Sequence, residues 1–208
     1  MSKNAMPKVG MEPIRRKQLI DATLESIGEV GYSATTVQSI ARRAGVSAGI
    51  IAHYFGNKLG LLEATMLDLL QQLKIDLLAR LPDNPTPQDR LAAIIATNFS
   101  KTQTDSLSAK TWLAFWSSAM HEPAFARLQQ INKSRLHSNL RVSFKALGHD
   151  DPHLAATSLA ALIDGLWLRG ALTQEGIDAE QCIAVCRHHV NQMIASIPTK
   201  PTLLKESA

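Results

Sequence analysis

The sequence is poor in cysteine and in long apolar runs, and each shortage excludes a class of protein. Two cysteines in 208 residues do not make a disulfide-stabilised secreted scaffold. No apolar run approaches the ~18–20 residues that a membrane span needs. The N-terminus lacks the apolar stretch of a signal peptide, so we expect a cytoplasmic protein. Hydrophobic residues nevertheless make up 45 % of the chain, which predicts a globular fold with a substantial core.

Sequence motifs of catalysis are also missing. No G-x-S-x-G, glycine-rich phosphate loop or H-E-x-x-H occurs, so we expect the protein not to be an enzyme. Cys182 and Cys186 stand four residues apart, and their spacing from His188 or His189 fits no common zinc site. We interpret both cysteines as small buried side chains and predict neither a metal nor a cofactor.

Helical periodicity runs through the chain, and no segment alternates with the period of a strand. We therefore predict an all-α fold of about nine helices in two domains, a three-helix head at 12–58 and a larger helical body at 59–197. A mobile arm is expected at 1–11 and a frayed tail from Pro198. The helices predicted after the head span residues 59–80, 88–104, 108–121, 123–147, 153–173 and 179–196.

Residues 36–58, TVQSIARRAGVSAGIIAHYFGNK, contain the most informative local pattern. Thr35 or Thr36 can cap a short helix, Gly45 can adopt the left-handed conformation of a tight turn, and Ser47 can cap a second helix. Two short helices joined by a glycine-containing turn are typical of the helix-turn-helix, whose second helix enters the major groove of DNA. On this pattern alone, an ordinary pair of packed helices remains the alternative.

Candidate DNA contacts follow from the same segment. Small residues at the start of the second helix allow close approach to base edges, and a lysine near the start of the next helix can hold a phosphate. Arg15, Arg16 and Lys17 are expected to face phosphates as well. The predicted DNA-binding residues are Arg15, Thr36, Arg42, Ser47, Ala48, Gly49, Ile50, Ala52, His53, Tyr54 and Lys58.

The charge of the chain is unevenly distributed. Residues 1–60 hold eight basic and four acidic residues, whereas the remainder holds fourteen of each. The whole net charge of +4 therefore lies in the segment with the helix-turn-helix, where it favours DNA. A solvated helix face with a chance bias in charge is the alternative.

This segment resembles the DNA-binding segment of TetR-family repressors. Those proteins carry a hydrophobic-Ala-x-x-Ala-Gly-Val-Ser-x-Gly run, an aromatic pair, and then Lys and Leu-Leu. Many members have a phosphate-contacting tyrosine where this chain has Ala52, which leaves His53 or Tyr54 as candidates for that contact. The matching residues are Ile40, Ala41, Ala44, Gly45, Val46, Ser47, Gly49, Tyr54, Phe55, Lys58, Leu61 and Leu62.

All three tryptophans fall in two segments of the predicted body. Trp112, Phe115 and Trp116 recur at i, i+3 and i+4, which predicts one aromatic patch on a helix. Trp167 stands in an apolar run that also contains Asp164. Aromatic faces with one carboxylate suit a quaternary ammonium ion, which binds by cation–π attraction. The alternative is that the aromatic residues are core and that the carboxylate pairs with an arginine.

Longer stretches resemble the choline-responsive TetR-family repressors of glycine betaine synthesis genes. Among them are IARRAGVSAGIIAHYF, KTWLAFWSSAMHEP and ALIDGLWLR, which cover both halves of the chain. The resemblance implies a repressor of choline uptake and glycine betaine synthesis genes that choline releases from its operator. It does not imply the pocket residues, which we infer from chemistry alone. A TetR-type regulator that responds to another hydrophobic or cationic ligand is the alternative.

One recognition helix reads too few base pairs for a specific site, so we predict a homodimer on a palindromic double-stranded operator. The last two predicted helices are the candidate interface, and the resemblance implies the same. On the first of them Ala155, Leu159, Leu162 and Leu166 make one stripe. The alternative is that both helices only cover their own core.

Overall fold

The computed structural model describes residues 11–195 and 197, and within them it contains ten α-helices and no strand. The predicted all-α fold class is therefore confirmed. Apart from Met11, the expected arm lies outside the described residues, as does the tail from Pro198. None of the described helices is both long and apolar enough to cross a membrane. The helices are α1 (Met11–Ala34), α2 (Val37–Arg43), α3 (Ala48–Phe55), α4 (Lys58–Ala79), α5 (Pro87–Asn98), α6 (Lys101–Thr104), α7 (Ser106–Ala119), α8 (Pro123–Ala146), α9 (Pro152–Ala171) and α10 (Ala179–Ala195).

The helices enclose two hydrophobic cores. The core of the head, formed by α1 to α3 and the start of α4, is built around Leu19, Ile40, Ile51 and Leu61, all fully buried. The core of the body joins the later parts of α1 and α4 to α5 and to α7–α10. Because α1 and α4 contribute to both cores, these two helices connect the head to the body.

Local capping explains the bounds of the two short helices. Thr36 caps α2 in a reciprocal capping box with Ser39, whereas Thr35 is buried and its hydroxyl donates to the carbonyl of Gly31. Gly45 has φ +65°, the left-handed conformation that its turn requires. Ser47 occupies the N-cap position of α3, but its hydroxyl makes no capping bond within the described part of the chain.

The predicted helix at 88–104 is two helices, and this is the main error in the predicted elements. Phe99, which follows α5, leaves the helical conformation at φ −108°, ψ +21° and is buried in the body core. Ser100 and Thr102 then donate hydrogen bonds to the carboxylate of Asp76 on α4. Tertiary contacts therefore place a break where the local sequence has no glycine or proline.

Candidate functional site

The outer face of α2 and α3 is exposed in the head. Thr36, Arg42, Ser47, Gly49 and His53 are all accessible on this face. The opposite side of α3 packs into the head core through a fully buried isoleucine. Of the other predicted contacts, Ala52 is exposed, and Ala48, Ile50 and Tyr54 are half-buried. Helix α3 thus presents small and polar side chains outward, as a recognition helix must.

Two neighbouring arginines of α2 have different environments. Arg42 is exposed and forms no ion pair with any residue that the structure describes. Arg43 is paired with Glu25 and Glu29 on α1, and these carboxylates raise the pKa of its guanidinium. Arg42 can therefore contact a phosphate, whereas Arg43 connects α2 to α1 through ion pairs.

Two of the three basic residues at the start of α1 are used within the protein. Arg16 donates to the backbone carbonyl of Tyr54 at 2.8 Å. Lys17 lies between Asp21 and Asp68, with Nζ–O distances of 2.6 and 3.2 Å. Each of these side chains thus connects α1 to α3 or α4, and a phosphate contact by either stays a prediction.

Arg15 and Lys58 also have partners within the head. Arg15 donates to the side chain of Gln18 on the same helix. Lys58 donates to the backbone carbonyl of Tyr32 at 3.2 Å, and its Nζ lies 4.5 Å from the centre of that ring. Burial lowers the pKa of Lys58. An ammonium has three N–H donors, so a phosphate contact by Lys58 stays a prediction.

A cavity of about 490 Å³ opens in the body among α4, α5, α7, α8 and α9. Its size is that of a small-molecule site, about 300–1,000 Å³. Trp112, Trp116, Asp164 and Trp167 all line it, so the structure brings these four predicted residues together. The indole rings of Trp116 and Trp167 meet edge to face, with centroids 4.9 Å apart.

Phe115 does not line this cavity, so its predicted place in the pocket is wrong. Successive helical residues point about 100° apart, so Phe115 lies to one side of Trp116 on the helix surface. It is buried in the body core, where its ring meets Phe125 edge to face at 5.5 Å.

Asp164 is the one carboxylate among the described residues that line the cavity. Loss of hydration raises the pKa of this carboxyl, and the nearby charge of Lys133 opposes the shift only in part. No ion pair of Asp164 occurs in the described structure, so the alternative of pairing with an arginine is not observed. Lys74, Arg90 and Arg135 also line the cavity, the first and last with exposed side chains.

Sequence reasoning missed two walls of the cavity. Leucines of α4 and the following turn form an apolar wall, and α5 and α6 add a polar one that includes Thr97 and Gln103. The indole N–H of Trp112 donates to Oε1 of Gln103 at 3.1 Å. No sequence signal singled out these residues, because their common place arises only from packing. The leucines are Leu70, Leu73, Leu77, Leu78 and Leu81.

The predicted interface stripe on α9 is partly wrong. Ala155 and Leu159 are buried in the core of their own body and are not accessible to a second chain. Leu162 and Leu166 are half-buried and pack against the same core. The accessible apolar side chains of this region lie on another face, which carries Leu154 and Leu168 of α9, its C-cap residue Leu172, and Val185 of α10.

The two cysteines are buried and unlinked. Burial raises the pKa of both thiols, and that of Cys186 to about 12. No group of three potential metal ligands occurs in the described part of the chain. Both thiols are therefore protonated at neutral pH and pack as small apolar side chains.

Two family models together match most of the chain. One, described as bacterial regulatory proteins of the tetR family, matches residues 19–65. The other, described as the C-terminal part of BetI-type transcriptional repressors, matches residues 87–195. The first covers the helix-turn-helix, and the second covers α5 to α10.

Full-length relatives agree with these matches. The HTH-type transcriptional regulator BetI 2 of Chromohalobacter salexigens is 52% identical over 192 residues, which are 91% of this chain and 93% of that protein. A transcriptional regulator from Pseudomonas aeruginosa PAO1 has a similar structure, with a TM-score of 0.72, 28% identity, and coverage of 88% of this chain and 92% of the other. One from Saccharomonospora viridis, solved in complex with choline, has a TM-score of 0.76 at 18% identity, covering 86% and 96%.

Proposed function

The chain belongs to the TetR family of bacterial regulatory proteins and has a BetI-type C-terminal domain, and from this premise we propose that it is a choline-responsive repressor. The family consists of DNA-binding regulators and not of enzymes, as expected from the sequence. In the proposal, the protein represses genes for choline uptake and glycine betaine synthesis, and choline releases it from their operator.

The meeting of Trp116, Trp167 and Asp164 at one cavity is the observation that supports choline most directly. A quaternary ammonium ion cannot donate a hydrogen bond, so it is held by ring faces and by a negative charge. Asp164 supplies a carboxylate that has no protein counter-ion in the described structure. Lys74 and Arg135 are exposed, and so is Asp164, so water screens all three charges.

The names of similar proteins give independent support. The relative from Chromohalobacter salexigens bears the name BetI 2, and the regulator from Saccharomonospora viridis was solved with choline. The second protein shares only 18% of its residues with this chain, so it supports the fold and only suggests the ligand. The aromatic rings and the carboxylate that line the cavity of this chain support choline on chemical grounds, independently of any name.

For DNA binding, we assign contacts with base edges to residues at the start of α3, and contacts with phosphates to residues at and near α2. Ser47, Gly49 and His53 are exposed on α3, and Thr36 and Arg42 flank them from α2. A single such face reads few base pairs, so the operator is a palindrome read by two copies. Because the operator lies on the chromosome, the proposal includes a cytoplasmic location.

We assign the homodimer interface to the exposed face of α9 and α10. Leu154, Leu168, Leu172 and Val185 give this face large apolar side chains in contact with water. Ala161 and Gly165 lie on the same exposed stripe of α9, where small side chains allow a second helix to approach closely. This face replaces the stripe through Ala155 and Leu159 that the sequence suggested.

The proposed mechanism passes through the two helices that belong to both cores. Leu70 and Leu77 of α4 line the cavity, while Leu61 of the same helix is buried in the head. A ligand between α7 and α9 that moves α4 therefore changes the position of the recognition helix. Choline must bind the DNA-incompetent state more tightly to do this. Couplings of this type are about 1–3 kcal/mol, roughly a 5–150-fold change in operator affinity.

The test is an anisotropy titration of labelled DNA from upstream of the chain's own gene, with and without choline. We expect nanomolar-class binding without choline and weaker binding with it, while an unrelated duplex shows only salt-sensitive weak binding. Choline that binds the protein but leaves operator affinity unchanged would overturn the proposal.

A larger lipophilic cation is the second candidate effector, and the leucine wall of α4 favours it. Leu70, Leu73 and Leu78 give the cavity more apolar surface than a small ammonium ion covers. A titration that compares choline with tetraphenylphosphonium separates the two candidates. Operator release by tetraphenylphosphonium, with no effect of choline, would favour the second.

A further inference from the structure

Four buried polar atoms on residues that line the cavity have no hydrogen-bond partner among the described residues. They are Nε of Arg90, Oγ1 of Thr97, Nε2 of Gln103 and Nε1 of Trp116. Only one other such atom is found in the described chain, on Gln129, which does not line the cavity. An unpaired buried polar atom is destabilising, so native proteins contain few of them. Four of the five such atoms in the described structure belong to residues of one cavity, which indicates that a ligand supplies the missing hydrogen-bond partners.

The hydroxyl of Thr97 differs from those of the other buried threonines of the helices. Those of Thr23, Thr65 and Thr111 each donate to the carbonyl one turn earlier in their own helix. Thr97 is only 1% exposed, and its hydroxyl has no such bond. A threonine in a helix normally makes this bond, so the hydroxyl of Thr97 is left for a partner outside its own helix.

The orientation of the Gln103 amide is fixed by its neighbour. An indole N–H can only donate, so the oxygen of Gln103 must face Trp112, which bonds it at 3.1 Å. The amide nitrogen then lies on the other side, buried and unpartnered, in a side chain that is 2% exposed. The unpartnered group of Gln103 is therefore a donor and not an acceptor.

The chemistry of the free atoms defines the group that would bind them. The nitrogens of Gln103 and Trp116 can only donate, and the hydroxyl of Thr97 can donate or accept. Their common partner is an acceptor, and in a small organic ligand this is an oxygen. Arg90 lies seven residues before Thr97 on α5, about 10 Å along the helix, and belongs to another part of the wall.

We propose that Thr97, Gln103 and Trp116 form a second subsite that binds an oxygen of the effector, while Trp167 and Asp164 hold its cationic end. The inference rests on the proposed function, since it concerns the same effector site. It adds that the protein selects ammonium compounds that carry an oxygen on a short tether. An alkylammonium ion without oxygen would leave all three polar atoms unpaired, so the site disfavours it.

The test compares choline with propyltrimethylammonium, in which a methyl group replaces the hydroxyl. Binding to the full-length protein is measured by calorimetry. We expect choline to bind about threefold to tenfold more tightly, the effect of one or two net hydrogen bonds. Glycine betaine is the third ligand and separates a hydroxyl from a carboxylate acceptor. We expect glycine betaine to bind less tightly than choline, because its carboxylate would lie in the same cavity as the carboxylate of Asp164. Tighter binding of glycine betaine would show that the subsite binds a carboxylate oxygen in preference to a hydroxyl.

Two variants and a matched control assign the discrimination to these residues. Thr97→Val removes the hydroxyl at nearly constant volume, and Gln103→Met removes the amide donor at similar size, together with the acceptor for Trp112. Both should bring the ratio of the two affinities toward one. Thr111→Val, a buried threonine outside the cavity, should keep the wild-type ratio.

The outcomes separate failure of the subsite from failure of the proposed function. Equal affinity of the wild-type protein for choline and propyltrimethylammonium, or a ratio that Thr97→Val and Gln103→Met leave unchanged, overturns the subsite but keeps a quaternary ammonium effector. Binding of neither ligand overturns the proposed function and the subsite together.

Discussion

The side chain of Leu107 on α7 occupies the space that a β-carbon on Gly28 of α1 would need, and the Cα of Leu107 lies 3.2 Å from that position. Lys110, one turn further along α7, donates to the carbonyl of Gly28 at 2.7 Å. The helix that carries two cavity tryptophans is therefore in direct contact with the helix that enters the head. This contact offers a second route, beside α4, from the effector to the recognition helix.

Replacement of Gly28 by alanine should separate these two helices. We expect Gly28→Ala to lower the free energy of unfolding by about 1–3 kcal/mol, the usual cost of overpacking. The double variant with Leu107→Ala should recover part of the loss, because only the backbone of α7 then remains close. Denaturant unfolding measures both. Additive effects of the two changes would contradict the packing described here.

The adjacent arginines of α2 give a matched pair for the DNA-binding face. Arg42→Ala should weaken operator and non-specific binding alike and reduce the slope of log affinity against log salt by about one, since one phosphate contact is lost. Arg43→Ala should affect DNA affinity less and stability more, because Arg43 is paired with α1. Anisotropy titrations at several salt concentrations measure the slope. A larger loss of DNA affinity in Arg43→Ala would reverse the assignment.

The sequence predicted α3 behind Ser47 because local signals agree there. A serine precedes the helix, Gly56 with φ +77° follows it, and small side chains mark its outer face. The burial of Ile51 in the head core then fixes which side of the helix faces inward.

The accessible face of α9 could not be predicted in the same way. The segment LAALIDGLWL is apolar on nearly all sides, so periodicity does not say which side meets the chain's own core. Leu159 turned out to be buried and Leu168 accessible. Phe115 was misassigned for the same reason, since an aromatic helix has more than one apolar face. Gln103 carries no local signal at all, because its role depends on a contact with Trp112 nine residues away.

All three tryptophans of the chain line the cavity, so their fluorescence should report the effector directly. We expect choline to change the emission and Trp116→Leu or Trp167→Leu to raise its dissociation constant by about twofold to thirtyfold, the range of cation–π contributions. Operator affinity without choline should not change. Phe115→Leu is the control on the same helix, and it should lower stability while leaving choline affinity intact. An unchanged choline response in both tryptophan variants would remove the rings from the site.

The exposed stripe of α9 can be tested by placing charge on it. Leu168→Glu and Leu172→Glu should convert the dimer into monomers in sedimentation experiments at micromolar concentration and weaken operator binding, because a carboxylate would be buried without a partner. Leu67→Glu changes an exposed leucine of α4 and should leave the dimer intact. Dimers that persist in both α9 variants would move the interface elsewhere.

Choline affinity should depend on pH through Asp164. Loss of hydration raises the pKa of this carboxyl, so the proton leaves at a higher pH than from an ordinary aspartate. A cation binds the ionised form better, and choline affinity should therefore rise with pH through that raised pKa and level off above it. Asp164→Asn should bind choline about tenfold more weakly, the loss of a charged interaction, and without this rise.

Calorimetry across roughly pH 4 to 8 measures both profiles. The asparagine variant keeps every histidine and every cation around the cavity, including Lys74, Arg90, Lys133 and Arg135, so it is the control for their titration. Subtracting the pH profile of the variant from that of the wild-type protein leaves the contribution of the Asp164 carboxyl. If the two proteins gave parallel profiles, Asp164 would not be the group that holds the cation, and the charge complementarity on which the choline proposal depends would have to come from the tryptophan rings alone.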